Sequence, residues 1–341
     1  MENIEKEKNK EKFSYSKTEI FAQCPYKYKL IYVDKHFINQ PGIATDFGTL
    51  IHFIEETMAN TIKSGNQINY HTMIDLLYKG YKDDKTEVKG VDKLIEDYPV
   101  EFYTPDKNGR TYAEKVETYI DSGICRLEDY LATNPTLEIV AAEEPFEVEF
   151  RNYIFHGFID RIFRDTVTGE YIIEDIKTYS APLKADKLTT PLQFVIYSMA
   201  WKSKFPDAKI KCAYELPLCY CKQDAGTKGF VERGIKKLNE LLDEIEEDSK
   251  SQEFAPNPSP LCHWCVFCKT YPNQPEEAKN LCPYYSHWTR ENKDFSVENE
   301  WMGKENHEAI LEAFINSYGL QPEIKVTKTE PDNVRRFLLR R

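Results

Sequence analysis

The chain has 341 residues, enough for one large domain or two ordinary ones, and 57 acidic side chains against 45 basic ones leave a net charge of -12. No apolar run approaches the length of a membrane span, and nine cysteines without a secretory segment point to a cytoplasmic, non-secreted protein whose thiols bind metal or are simply buried. Such an acidic balance argues against a nucleic-acid partner only if the charge is evenly spread. Here many acids lie in residues 239–248, while Lys17, Lys27, Lys29 and Lys35, and Arg335, Arg336, Arg340 and Arg341, form local positive counterweights.

In chain order, residues 1–12 alternate Glu and Lys with almost no apolar content and read as a disordered tail. Ser16 and Glu19 have the spacing of a capping box, which predicts a helix over 17–30 carrying Cys24. A helix over 46–62 carries His52, and helical patterns dominate to residue 133, so that 59–135 is expected to be a helical insertion. Three strands follow at 138–149, 153–164 and 171–178, the last two joined by the turn-like Thr166-Val167-Thr168-Gly169. A helix over 188–204, a strand over 209–220 and an acidic helix over 233–248 lead into a proline-rich cysteine loop. A helix over 297–317 and a basic tail close the chain. Strands clustered between helices predict an α/β fold, a mixed sheet flanked by helices, with a C-terminal cysteine-cluster region.

The chemistry concentrates in Gly157-Phe158-Ile159-Asp160-Arg161 and Glu174-Asp175-Ile176-Lys177-Thr178. A strand alternates its side chains, so Asp175 and Lys177 share a face, and a hairpin brings Asp160 beside Asp175. Two carboxylates attract a hard divalent cation, and the lysine can position a water or offset phosphate charge. A D-x-K triplet alone reads more readily as a surface salt-bridge ladder, and it is the flanking residues that change this. Upstream, Gly48-Thr49-Leu50-Ile51-His52 places a lone histidine in an apolar helix with Glu55 and Glu56 a turn further on, where they could reach a cation through water. Downstream, Gln193 and Tyr197 are four apart and share a helix face.

These four elements, in this order, resemble the PD-(D/E)XK nucleases, specifically the RecB-like branch, whose motifs run G-x-x-x-H, G-x-x-D-R, D-x-K-T and Q-x-x-x-Y. The resemblance implies the restriction-endonuclease-like fold over about residues 13–290 and metal-assisted phosphodiester hydrolysis. Asp160 and Asp175 would ligate Mg²⁺ or Mn²⁺ with the carbonyl of Ile176 and with His52, and Lys177 would orient the attacking water. Gln193 and Tyr197 would hold the strand beside the substrate, where a tyrosine can also stack on a base.

Cys24-Pro25, Cys262-His263-Trp264-Cys265, Cys268 and Cys282-Pro283 form a second pattern. It resembles the subgroup typified by AddB and the CRISPR-associated nucleases, in which one N-terminal and three C-terminal cysteines hold a [4Fe–4S] cluster. That implies Cys24, Cys262, Cys265 and, by its following proline, Cys282 as ligands, with 256–290 closing onto Cys24. Cys268 is the alternative fourth ligand and Zn²⁺ the alternative metal. Cys125, Cys212, Cys219 and Cys221 read as buried thiols, the last two sharing a face of one strand. The subgroup implies a single-strand DNA exonuclease in recombination, repair or related processing. No G-x-x-x-x-G-K-[ST] occurs, so a motor would come from a separate helicase or recombinase. A catalytically silent DNA-binding scaffold and an endonuclease of the same fold are the competing readings.

Overall fold

The computed structural model describes residues 10–38, 42–106, 108–257, 259–268, 271 and 274–282, with the backbone alone of 284–288, 295–299 and 336–337. The chain divides into two compact units, residues 1–15 with 41–239 and residues 16–40 with 240–341.

The first unit is built on a six-stranded mixed sheet. Its strands are β1 (Glu11–Phe13), β4 (Leu137–Phe150), β5 (Tyr153–Asp165), β6 (Tyr171–Ile176), β7 (Ile210–Leu216) and β8 (Cys221–Ala225). β4 and β5 form a long antiparallel hairpin. β6 returns antiparallel to β5 through a turn in which Asp165 Oδ1 accepts hydrogen bonds from the amides of Val167 (2.8 Å) and Thr168 (3.0 Å). Gly169 closes that turn at φ 70°, a left-handed conformation that glycine adopts without a Cβ clash. β6 and β7 are parallel, which demands a crossover, supplied by the helix Leu192–Lys204.

One edge of β5 changes partner along its length. β6 pairs only with residues 161–164, and β1 pairs in parallel only with 153–155. Residues 156–160 lie in the fork between them.

The helix Ile43–Lys63 packs on the β4–β5 hairpin. Its Ile43, Phe47, Leu50, Ile51, Ile54 and Met58 recur at helical spacing and are buried. They share a core with Leu77, Val116, Tyr119, Leu127, Ile139 and Phe163, so the insertion over 59–135 is packed into the unit. It is mostly helical, as expected, with a small hairpin of β2 (Gly80–Lys82) and β3 (Glu87–Lys89).

The second unit holds helices Tyr15–Gln23 and Pro25–Tyr28 from the N-terminal side, the first crossing the boundary at its opening residue. Leu30, Val266, Phe267 and Ala278 form its small core. A backbone sheet joins β9 (Tyr284–Trp288), β10 (Phe295–Asn299) and β11 (Arg336–Phe337).

Several expectations are corrected. Glu11 and Lys12 lie in β1, and the remainder of the expected tail, 1–9, is outside the described residues. Ser16 is the second residue of its helix and not its cap. That helix ends before Cys24, because the residue preceding a proline is driven to extended backbone (φ -164°, ψ 105°). The expected strand over 209–220 ends at Leu216, where Pro217 opens a short 3-10 turn. Tyr220 at φ 47° then reverses the chain into β8, so Cys219 and Cys221 do not share a strand. Thr190-Pro191 likewise splits the helix expected over 188–204. Val297 to Asn299 are in β10, the rest of the helix expected over 297–317 is outside the described residues, and so are the side chains of Arg335, Arg336, Arg340 and Arg341. Among the described residues no helix is long and apolar enough to cross a membrane.

Candidate metal centre and cysteine cavity

The fork in the sheet positions the acidic site. Arg161 pairs with Glu174 in the β5–β6 ladder, and one step beyond it the strands part. There the Asp160 carboxylate takes over from the backbone: its Oδ2 accepts the Ile176 amide at 2.6 Å. His52 reaches the same point from its helix, with Nδ1 3.7 Å from Asp160 Oδ2. Asp175 is buried next to Asp160 and pairs with Lys177, whose Nζ lies 2.7 Å from its Oδ2. The Lys177 ammonium also approaches Gln193 Oε1 at 3.4 Å, and Gln193 Nε2 donates to the Tyr197 hydroxyl at 2.8 Å. Asp160, Asp175, Lys177, His52, Gln193 and Tyr197 are thus gathered at one place. Tyr197 is 5 % exposed and packed edge-on against Phe146, so its ring offers a base no free face.

Glu143 completes the cluster and was missed in the sequence. Ala142 pairs with Arg161 and Glu144 with Ile159, leaving Glu143 opposite Asp160 and out of the ladder. Its backbone is left-handed at φ 46°, a conformation costing a non-glycine residue about 1–2 kcal/mol and concentrated at functional sites. The kink brings Glu143 Oε1 to 3.8 Å from His52 Nδ1. Ligand atoms of His52, Glu143 and Asp160 lie within 4.8 Å of one another. Oxygen ligands sit about 2.1 Å from Mg²⁺, so a modest contraction closes this set around a cation. The only trace in the sequence was two adjacent glutamates inside a strand, which breaks alternation without saying which partner the first one meets.

Glu55 and Glu56 part company. Glu55 is 1 % exposed and committed to Arg161 and Tyr119, which removes it as a metal ligand through water. Glu56 stays near the cluster, its carboxyl held above the usual range by burial and by Glu143.

The electrostatics call for a cation. Burial, with Asp175 adding repulsion, pushes the Asp160 carboxyl up to about 7. Burial also raises Asp175 even though Lys177 works against it. Burial opposes the charge of His52, but Glu143, Asp160 and Asp175 outweigh it and hold the imidazole above its ordinary value. Burial likewise disfavours the Lys177 ammonium, and Asp175 more than restores it, so the lysine is a cation here and not a base. Carboxylates plus one imidazole suit Mg²⁺ and Mn²⁺.

In the second unit, Cys24, Cys262, Cys265, Cys268 and Cys282 all line one cavity. Cys24 Sγ accepts the amides of Lys27 and Asn257, each at 3.4 Å, and Cys262 Sγ accepts that of Ser259 at 3.4 Å. Amide-to-sulfur bonds of this kind favour thiolate. Burial nevertheless pushes Cys262 up to about 12, with the thiols of Cys268, Cys265 and Cys24 adding to the rise. A buried set of cysteine sulfurs with amide donors fits a soft cation or an iron–sulfur cluster, either of which would displace the thiol protons. In the first unit, Cys212 is buried as expected, its thiol pushed up to about 12 by that burial.

The sequence pattern of the PD-(D/E)XK nuclease superfamily matches residues 12–269. No curated protein matches the chain. Among solved structures, one described as "Crystal structure of SSO0001" is 14 % identical, covering 74 % of this chain and 95 % of its own, with a TM-score of 0.25. At that score it carries no weight.

Proposed function

The chain belongs to the PD-(D/E)XK nuclease superfamily, and from that premise we propose that it is a Mg²⁺- or Mn²⁺-dependent deoxyribonuclease that degrades single strands from an end. The convergence of His52, Glu143 and Asp160 beside the Asp175–Lys177 pair is the observation that carries the reading. These acids and the imidazole would hold the cation, with the Ile176 carbonyl as a neutral donor. A divalent ion in such a site polarises the scissile phosphate and acidifies its bound water.

The protein's own groups do the rest. Lys177, protonated and steadied by Asp175 and Gln193, faces the charge that develops on the phosphate and fixes the water by donating to it. Gln193 and Tyr197 act on that lysine, not on substrate directly: the tyrosine hydroxyl holds the amide, and the amide oxygen holds the ammonium. Labelled single- and double-stranded DNA, incubated with Mn²⁺, tests the reading. Loss of label from single-stranded ends supports it. Cuts within a closed circle would favour an endonuclease, and binding without cleavage a scaffold. The intact Asp160, Asp175 and Lys177 weigh against the scaffold.

We further propose that the cysteine cavity holds a [4Fe–4S] cluster through Cys24, Cys262, Cys265 and Cys282, with Cys268 the competing fourth ligand and Zn²⁺ the competing metal. The amide-to-sulfur bonds at Cys24 and Cys262 support it. Brown protein absorbing near roughly 400 nm identifies the cluster, and Cys24→Ser abolishes that band. One equivalent of zinc in colourless protein would keep the site and change its metal. Such a cluster would stabilise the fold, since ligands absent from the unfolded chain put their binding energy into folding.

A further inference from the structure

Phe158 is out of place for a structural phenylalanine. It lies in the middle of β5 and is 57 % exposed, whereas Phe155 and Phe163 in the same strand are fully buried. The reason is the fork: pairing with β1 ends at Phe155, pairing with β6 starts at Arg161, and neither strand runs beside Phe158. Across the hairpin its partner is Pro145, itself exposed. Next to it, Gly157 is confined, because a Cβ there would meet the Phe146 ring at 3.2 Å. The chain therefore tucks one aromatic ring under Gly157 and leaves the adjacent one uncovered.

Its position gives that exposure a use. Phe158 precedes Asp160 by two residues in β5, about 7 Å along the strand at about 3.3 Å per residue. A nucleic-acid strand held by its scissile phosphate at Asp160 and Lys177 must carry the adjoining base within reach of that ring. We propose that Phe158 is the stacking platform for the unpaired base next to the scissile phosphate, and that it sets the preference for single strands. The proposal rests on the nuclease reading above and names the substrate group that this site recognises. In a duplex both faces of that base are covered by its neighbours, so the ring gains nothing from it. In a single strand the face is free, and stacking on an aromatic side chain tolerates any base. Tyr197 cannot serve, being buried. Tyr179, 48 % exposed and two residues past Lys177, is the ring to compare.

The test is steady-state cleavage of a single-stranded oligonucleotide with Mn²⁺ by wild type, Phe158→Ala, Phe158→Trp and Tyr179→Ala. A stacked base is worth on the order of tenfold to a hundredfold in binding. Phe158→Ala should therefore raise KM by about that factor with a far smaller change in kcat, and Phe158→Trp should restore it. An abasic nucleotide at the adjoining position should raise KM for wild type and make no further difference to Phe158→Ala. Binding without turnover, read as quenching of 2-aminopurine at that position in Ca²⁺, should be lost in Phe158→Ala alone. An unchanged KM with retained quenching overturns the proposal, as does a loss confined to Tyr179→Ala. If wild type quenches but does not cut, the nuclease reading falls and the stacking site stands. Phe158 is largely solvated, so none of these variants should threaten the fold.

Discussion

Two buried charge clusters occupy neighbouring residues of the same elements and are built in opposite ways. Behind the sheet, Arg161 donates from Nε to Glu174 (2.7 Å) and from Nη1 to Glu55 (3.0 Å). Tyr119 also donates to Glu55 (3.0 Å), Lys222 meets Glu174, and Arg126 clasps Glu215 through Nε (2.6 Å) and Nη2 (3.2 Å). Three carboxyl groups, Glu55, Glu174 and Glu215, thus face three basic side chains, Arg126, Arg161 and Lys222. Burial pulls the Lys222 ammonium down to about 6, with Arg161 and Arg126 adding to the fall and Asp224 opposing it. One residue away along each strand, Glu143, Asp160 and Asp175 face Lys177 and a histidine whose charge is optional. The closed cluster needs nothing further and does structural work. The open one lacks positive charge, and a site that lacks positive charge by design is where a metal ion belongs.

Substitutions at the closed cluster should therefore cost folding, and those at the open one should cost activity. Arg161→Met is the largest case. It leaves Glu55 with Tyr119 alone and Glu174 with Lys222 alone, and breaking a buried pair costs about 3–5 kcal/mol. Chemical denaturation should show that loss. Adding Glu55→Gln and Glu174→Gln should return much of it, and a single variant as stable as wild type would erase the distinction between the clusters. Lys177→Ala is the opposite case. Cleavage should fall by a factor on the order of 100 or more, while the melting temperature and DNA binding in Ca²⁺ hold, because Asp175 can take a proton in place of its partner. A variant cutting at the wild-type rate would remove the catalytic assignment.

The pH dependence sharpens the contrast. Asp160 and His52 both have folded pKa values above their unfolded ones. Their contribution is fully present below the unfolded values, near 3.8 and 6.5, and is lost as pH rises through the folded ones, about 7 for Asp160. Metal-free protein should accordingly lose stability between about pH 4 and 7, by a few kcal/mol at most. Saturating Mn²⁺ should flatten that slope by exchanging protons for the ion. Thermal melts across that range, with and without Mn²⁺, measure it, and a slope indifferent to Mn²⁺ would separate these residues from the metal. The smallest effect should come from Glu143→Gln. Mn²⁺ affinity should weaken by about tenfold with stability unchanged or slightly raised, as titration calorimetry would report. Equal Mn²⁺ affinity would make Glu143 a bystander.

The residue order alone announced the strands over 137–176 and the helix carrying His52 and singled out Asp160, Asp175 and Lys177 as candidates, since local periodicity and short motifs are properties of neighbouring residues. It also marked the cysteines that share a cavity. It could not reveal Glu143, whose role depends on a ladder position opposite Asp160 and a left-handed kink that no local propensity announces. Nor could it separate Glu55 from Glu56: the two are adjacent and chemically alike, and only the arrival of Arg161 from 106 positions away commits one to the network. The turn at Tyr220 and the strand beyond it were hidden in the same way inside an apolar run. Spacing along a chain says which side chains can share a face. Which of them meet, and which face stays uncovered, as at Phe158, is decided by where strands begin and end beside one another, and that is settled only when the sheet is assembled.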